Sequence, residues 1–341
     1  MPTSTLEASE VKVVPFDSAE ALSASLNINE KLFFVKTSQG RLRGEARITK
    51  NQHGVCFSIQ SNQALFGCGQ KRVVTHAFGL IDCNQGPYEG RISNFSNDLS
   101  ELEQHFLSGF CNRANFRSFH LPANCRMLVY ISQTPAIQHI LEQANINFAS
   151  LTKNINTIQL SPACHQQLLQ SYQAILDGEA GQACSAGITT QKQVDVYRTI
   201  VDCFSTAHIS NHVPIKLTHR HELCKDLIIW GHAHVEEELT LERVLEELHT
   251  TRASLSQGCK EVLGMGPMEV LRSIRLEHVY QALSSQQIRG QLGCLKIEDI
   301  RAHYGFKSRG NFAALYKSCF DESPRDTLSK SKMNFYQSTC N

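Results

Sequence analysis

Several classes of protein are excluded by what this sequence does not contain. It has one tryptophan and five methionines in 341 residues, and its 33 basic and 32 acidic side chains leave a formal net charge of only +1. Without a charge excess of either sign there is no global electrostatic pull toward nucleic acid or membrane, so any such attraction has to be local. No run approaches the roughly eighteen apolar residues that would cross a bilayer. The opening stretch MPTSTLEASEVKVVP is polar and acidic ahead of a short apolar patch, and lacks the charged, apolar and cleavage regions of a secretory signal. A cytoplasmic protein with no membrane partner is the expectation. The thirteen cysteines are odd in number, run from Cys56 to Cys340 and never fall as Cys-x-x-Cys, which indicates neither a disulfide framework nor a zinc ribbon. Most read as small buried hydrophobes.

What is present is ample apolar material, 41% hydrophobic against 19% charged, in a chain long enough for two cores. Residues 11–95 read as strand and turn. LFFVKT, RLRGEARIT, GVCFSIQ and RVVTHAFGLI are rich in β-branched and aromatic side chains and are punctuated by Gly40, Gly54, Gly67, Gly69 and Gly86. That pattern suits a small β sandwich or barrel. From about residue 98 the apolar period lengthens toward 3.6 in DLSELEQHFLSGF, TPAIQHILEQAN, SPACHQQLLQSYQAILDG and QKQVDVYRTIVDCFST, which predicts helices. The expected fold class of residues 1–210 is therefore α+β, a β-rich domain with trailing helices. Residues 211–218 are expected as a linker, 219–330 as an all-α domain and 331–341 as a tail.

The last third repeats one arrangement twice. Thr240 can cap LERVLEELH, whose Val244, Leu245 and Leu248 form one apolar edge. After a brief HTT, RASLSQGCKEVLG turns Leu255, Cys259, Val262 and Leu263 inward and ends at Gly264. Pro267 suits the first turn of PMEVLRSIRLEHVYQAL, a rod of roughly 25 Å at about 1.5 Å per residue. Beyond a loop holding Gly290 and Gly293, Ile297 and Ile300 share a face, Gly305 permits a turn, Ser308 can cap, and Phe312, Leu315, Tyr316 and Phe320 rebuild an apolar stripe. Two helix-turn-helix units joined by a linker helix result, each with a small, polar, outward-facing start to its second helix. Residues 235–249 hold six acids against one base, whereas 251–330 hold twelve Lys and Arg against eight Asp and Glu. The acidic segment is expected to face away from DNA and the basic remainder to approach phosphates. Two such units on a rigid rod could enter major-groove segments about 34 Å apart.

GMGPMEVLRSIRLEHVYQAL, residues 264–283, resembles the linker region of the AraC/XylS transcriptional regulators. IEDIRAHYGFKSRGNFAALYKSCFDESP, residues 297–324, resembles that family's second helix-turn-helix and closing signature in its Gly-Phe turn, its Phe-x3-Tyr-Lys-x2-Phe spacing and its final Ser-Pro. GPMEVLRSIRL and DESPRDTL look most like the ethanolamine-utilisation regulators. The resemblance implies a sequence-specific DNA-binding transcription regulator, an activator rather than an enzyme. Its implied partners are double-stranded DNA, RNA polymerase, a second copy of the chain and a small-molecule effector, with no cofactor and no metal. Carried over position by position, it turns Arg252, Ser256 and Gln257 of the first unit and Arg309, Asn311 and Lys317 of the second toward DNA. Arg and Asn can bond guanine and adenine edges in pairs, and Lys suits a phosphate.

Four departures fall near that surface. Gly258 stands where the family has a good helix former, at a cost of about 1 kcal/mol relative to alanine. Cys259 replaces a bulky aromatic, so the first core is expected to be soft. Ala314 stands where arginine is common, and Asp321 replaces a usual glycine. Either the phosphate grip is weaker there or specificity rests on the first helix.

Outside the last third, glycines near Arg72, His76 and Tyr88 in GCGQKRVVTHAFGLIDCNQGPYEGR could border a pocket for an anionic or polar small molecule. The competing reading is a plain hairpin with a solvated basic edge. His208, His212, His219, His221, His232 and His234 read as histidines of an interdomain hinge, because an i, i+2 pair on a helix points its rings in different directions. PACH, residues 162–165, is similar to the PCHR core of alkylguanine alkyltransferases, but an alanine intervenes and no arginine follows. A DNA-docking repair alkyltransferase and a redox-sensing regulator using a cysteine stay open as alternatives.

Overall fold

The computed structural model describes residues 10–26, 32–50, 54–70, 75–82, 105–110, 116–151, 153, 155–177, 186–206 and 219–339. Its first part is strand-rich. A seven-stranded sheet runs in the order β1 (Lys12–Phe16), β3 (Gly44–Lys50), β4 (Gly54–Ser61), β9 (Cys125–Gln133), β6 (Thr75–Asp82), β7 (Phe106–Ser108) and β10 (Thr157–Gln159). A three-stranded sheet holds β2 (Leu32–Lys36), β5 (Leu65–Gln70) and β8 (Phe116–Leu121). The pairings in both sheets are antiparallel.

The larger sheet is apolar on both faces. Cys56, Phe78, Leu80, Leu128 and Tyr130 join a core with α2 (Thr134–Gln143), α3 (Phe148–Leu151), α4 (Pro162–Leu176) and α5 (Ala186–Thr206). Their strand neighbours Phe57, Ile59, Ala77, Met127 and Val129 join a second core with α1 (Ala19–Ser25), which Ser18 caps by accepting from Ala21 N at 3.1 Å. A strand buried on both sides shows no apolar-polar alternation. That is why β9, CRMLVYISQ, escapes the sequence reading.

The expectation of helices from residue 98 onward needs correction. The first segment so assigned, DLSELEQHFLSGF, falls outside the described residues up to 104, and its Phe106–Ser108 is β7, paired through Leu107 and Ile158 with β10. The strands β8 and β9 also follow it. All three β7 side chains are buried, and at such a site the sheet ladder satisfies the backbone where a three-residue apolar period says little.

The helical part comprises α6 (His219–Ala233), α7 (Leu241–Glu247), α8 (Arg252–Leu263), α9 (Pro267–Ser284), α10 (Gln286–Leu292), α11 (Ile297–His303), α12 (Arg309–Phe320) and α13 (Pro324–Thr339). The loop expected around Gly290 is α10: Ser285 caps it by accepting from Ile288 N, and Gly293, at φ 67°, closes it. The segment expected as a tail continues α13 through Thr339. Ser323 and Asp326 start that helix by exchanging bonds, Asp326 Oδ2 accepting from Ser323 N and Ser323 Oγ accepting from Asp326 N. The expected linker, 211–218, lies outside the described residues. No described helix is long and apolar enough to cross a membrane.

α9 is the spine. Eleven of its eighteen residues are buried, as expected of a helix packed on several sides. Val270, Leu271 and Ile274 pack with Leu223, Leu227 and Ile228 of α6 and with Leu255, Cys259 and Val262 of α8. Phe33, Val35, Phe66 and Cys68 of the small sheet belong to that same core. One helical turn later Leu276, Val279, Tyr280 and Leu283 pack with Ile300, Phe312, Tyr316 and Phe320. Each such side chain contributes about 1.5–3 kcal/mol on full burial, so neither helix pair is free to swing from α9. Polar contacts also cross from the strand-rich part: Ala19 N donates to Glu277 Oε2 at 2.9 Å, Tyr280 OH to Asp17 Oδ2 at 2.5 Å, and Arg41 N to Asp321 Oδ2 at 2.9 Å.

Candidate nucleic-acid interface

Two helix pairs are built alike. Each joins a seven-residue helix, α7 or α11, to a twelve-residue helix, α8 or α12. In each turn the second residue after the short helix adopts a left-handed backbone: His249 at φ 47° and Gly305 at φ 77°. Thr251 Oγ1 then accepts from Ser254 N at 3.2 Å, and Ser308 Oγ accepts from Asn311 N at 3.4 Å, so both long helices begin with a side-chain cap. Both end in a left-handed residue, Gly264 at φ 70° and Asp321 at φ 55°. Thr240 and Pro267 start α7 and α9 in the roles the sequence indicates.

This construction turns Leu255, Cys259 and Val262, and Phe312, Tyr316 and Phe320, into the cores. Arg252, Gln257, Arg309, Asn311 and Lys317 are exposed and Ser256 is half-buried. The side chains of Arg252 and Arg309 are 68% and 78% exposed, and each is the first residue of its helix. Each also meets a glutamate from the second position of the preceding helix: Arg252 Nη2 lies 3.6 Å from Glu242 Oε1, and Arg309 Nη2 lies 2.8 Å from Glu298 Oε1. Exposed pairs of this kind are worth about 0–1 kcal/mol. The arginines are thus positioned without being committed. Gln257 donates to Glu261 Oε1 at 2.9 Å and lies along α8 beside Lys260.

The two glutamates are not among the residues singled out by sequence, although each holds the second position of the helix before its arginine, ten and eleven residues ahead of it. Part of the acidic segment pairs with basic side chains of the helical part. Glu242 stands beside Arg252, and Glu238 Oε1 accepts from Lys307 Nζ at 2.7 Å, an exposed contact that holds the Lys307 ammonium above and the Glu238 carboxyl below their usual ranges. Glu236 lies 3.1 Å from His303. Local ion pairing overrides the segregation by sign that composition suggests.

Two departures noted in the sequence have structural causes. Gly258 is not a weak point in α8: a Cβ there would lie 2.8 Å from the carbonyl oxygen of Arg220, so the glycine lets α6 and α8 approach. Asp321 takes the left-handed position a glycine would occupy, and its carboxylate gains the bond from Arg41 N. Cys259 is fully buried beside Cys224, whose thiol is pushed up first by its hydrogen bond with Cys259 and then by burial. Ala314 is exposed.

The residues expected at a small-molecule pocket do not form a described constellation. Arg72 and Tyr88 lie outside the described residues. His76 is not at a rim: it is 1% exposed, with Nδ1 2.7 Å from Phe110 O and its ring against Phe148. Cys164 is half-buried in the first turn of α4. Burial pushes the neighbouring Cys203 thiol up, and Cys164 adds to that rise.

Residues 244–330 match the family described as Helix-turn-helix domain. Over 99 residues, 29% of this chain and 60% of the other, the chain is 33% identical to XylDLEGF operon transcriptional activator 2 of Pseudomonas putida. Over 96 residues, 28% of each, it is 30% identical to a probable thc operon regulatory protein of Rhodococcus erythropolis. The chain thus spans less than two thirds of these relatives. A solved transcriptional regulator from Chromobacterium violaceum, described as containing an AraC-type DNA-binding domain, aligns with 32% of this chain and 92% of its own at 22% identity and a TM-score of 0.29. Residues 244–330 carry a helix-turn-helix domain similar to those of transcription regulators.

Proposed function

We propose that the chain is a sequence-specific transcription regulator of the AraC/XylS type, in which both helix pairs are helix-turn-helix units and α8 and α12 enter the major groove. The observation that carries this reading is the twin placement of Arg252 and Arg309. Each opens a capped helix, projects into solvent and meets an exposed carboxylate. On DNA the arginines exchange Glu242 and Glu298 for base edges or phosphates, and the neutralised phosphates release counterions. Asn311 reads an adenine edge, Ser256 and Gln257 contact bases from α8, and Lys317 holds a phosphate.

Activation, contact with RNA polymerase, homodimerisation and an effector sensed by the strand-rich part extend the proposal, with a cytoplasmic, nucleoid-associated location. The name of one relative supports activation, and GPMEVLRSIRL with DESPRDTL supports the ethanolamine-utilisation subgroup. The polar contacts between the strand-rich and helical parts support effector control, because a ligand shifts DNA occupancy only by binding two arrangements unequally. The cysteine-based alternatives require an activated thiol. Burial pushes the thiols of Cys56, Cys68 and Cys203 up, and that of Cys319 up to about 11, against the thiolate such chemistry needs.

The test is selection of genomic DNA fragments by the full chain, followed by gel shifts on the selected site. Arg252→Ala and Arg309→Ala should each weaken binding about 10- to 100-fold and relax preference at one position. Lys317→Ala should weaken all sequences alike and lower the salt slope by about one. Unchanged affinity and unchanged preference in both arginine variants would overturn the reading.

A further inference from the structure

Three side chains far apart in sequence converge where the strand-rich part meets the helical part. Glu20 is the second residue of α1, His232 lies in the last turn of α6, and His278 is in α9. One potential ligand atom from each lies within 4.8 Å of the others. Glu20 Oε1 is 2.8 Å from His232 Nδ1 and 3.4 Å from His278 Nε2. Donors around a tetrahedral ion with bonds of about 2.0–2.1 Å are roughly 3.3 Å apart. The two spacings to Glu20 lie on either side of that value, and the two histidine donors lie within 4.8 Å of each other.

The surroundings favour a cation. The His232 side chain is 6% exposed, and His278 Nε2, the ring nitrogen facing Glu20, is buried with no hydrogen bond among the described residues. Phe33 packs on the His232 ring at 4.8 Å and Tyr304 on the His278 ring at 6.0 Å, restricting both imidazoles. Asp17 of the strand-rich part and Glu277 of α9 are further acidic groups near the junction, with Lys36 as a cationic neighbour of Glu277.

We propose that Glu20, His232 and His278 form a site for a borderline divalent transition-metal ion of the Zn2+ class, clamping α1 of the strand-rich part to α6 and α9 of the helical part. Two imidazoles and one carboxylate suit Zn2+ or Co2+ rather than Mg2+ or Ca2+, which take oxygen donors, and they leave a position for water. Because the ligands come from both parts, a bound ion stabilises their docked arrangement. The consequence for DNA rests on the regulator reading; the site itself does not.

The experiment titrates metal-free full-length protein with Zn2+ by calorimetry and with Co2+ by visible absorption. One ion per chain is expected at this site, with a tetrahedral Co2+ spectrum free of thiolate charge transfer. Glu20→Gln, His232→Gln and His278→Gln should each lower Zn2+ affinity at least tenfold, while His139→Gln, an exposed histidine on α2, should not. Circular dichroism and urea unfolding confirm that each variant is folded, and a Zn2+-induced rise in the urea midpoint should occur in wild type and vanish in His278→Gln. No binding by wild type, a thiolate spectrum, or undiminished binding in folded His232→Gln and His278→Gln would overturn the proposal. Gel shifts with and without Zn2+ separate the two readings. Intact DNA binding with no Zn2+ site removes the clamp alone, and Zn2+ binding at these residues without any DNA binding removes the regulator reading alone.

Discussion

The guanidinium of Arg275 fills the space that a side chain at position 305 would need: a Cβ on Gly305 would lie 2.6 Å from Arg275 Nη1. The same group donates to Tyr304 O at 3.4 Å and to His234 O at 3.2 Å, and also to Glu237 O. One buried arginine of α9 thus satisfies carbonyls at the ends of α6 and α11, and the glycine of the second turn makes room for it. Gly305→Ala must displace the arginine and hold a left-handed backbone, with an expected loss of about 2–4 kcal/mol. Urea unfolding measures it, and the loss should shrink in an Arg275→Ala background if the two positions are coupled.

His249 occupies the same place in the first turn without being glycine. Its φ of 47° carries a left-handed strain that glycine does not. His249→Gly is expected to stabilise the protein by about 0.5–1 kcal/mol, the relief being partly offset by the freer unfolded chain. A lower urea midpoint would contradict this.

Gly258→Ala separates helix propensity from packing. Propensity alone favours alanine by about 1 kcal/mol. The carbonyl of Arg220, 2.8 Å from the added Cβ, opposes it with backbone that cannot yield as a flexible side chain would. A net destabilisation of about 1–3 kcal/mol is expected from thermal or urea unfolding, because overpacking a helix contact costs more than the propensity gained.

His165 should make the protein acid-sensitive. Burial pushes its imidazole down to about 4, assisted by His105, while its bond to the Ile81 backbone and the nearby Asp82 act the other way. An unfolded histidine takes up its proton near pH 6.5, before the folded one does. Stability should therefore be complete above about pH 7 and fall by up to about 3 kcal/mol as pH drops toward 4. Urea midpoints measured across that window should lose much of their slope in His165→Gln.

Local chemistry made much of the helical part legible. Thr240, Pro267 and Ser308 start helices and Gly264 ends one, as the sequence indicates, because a cap is decided within a few residues. Arg252 and Arg309 were singled out by the resemblance to the AraC/XylS regulators, and both stand exposed at the starts of α8 and α12. In the strand-rich part, β9 was hidden because Leu128 and Tyr130 serve one core while Met127 and Val129 serve the other.

Residue order alone settled the two helix pairs, their caps and the outward polar starts of α8 and α12, since each depends on neighbours within a turn or two of the chain. Tertiary structure alone decided why position 258 must be glycine, how Arg275 and Gly305 share one volume, and that Glu20 meets His232 and His278. Those relationships join residues tens to hundreds of positions apart, and packing, not periodicity, sets which distant atoms come within bonding distance.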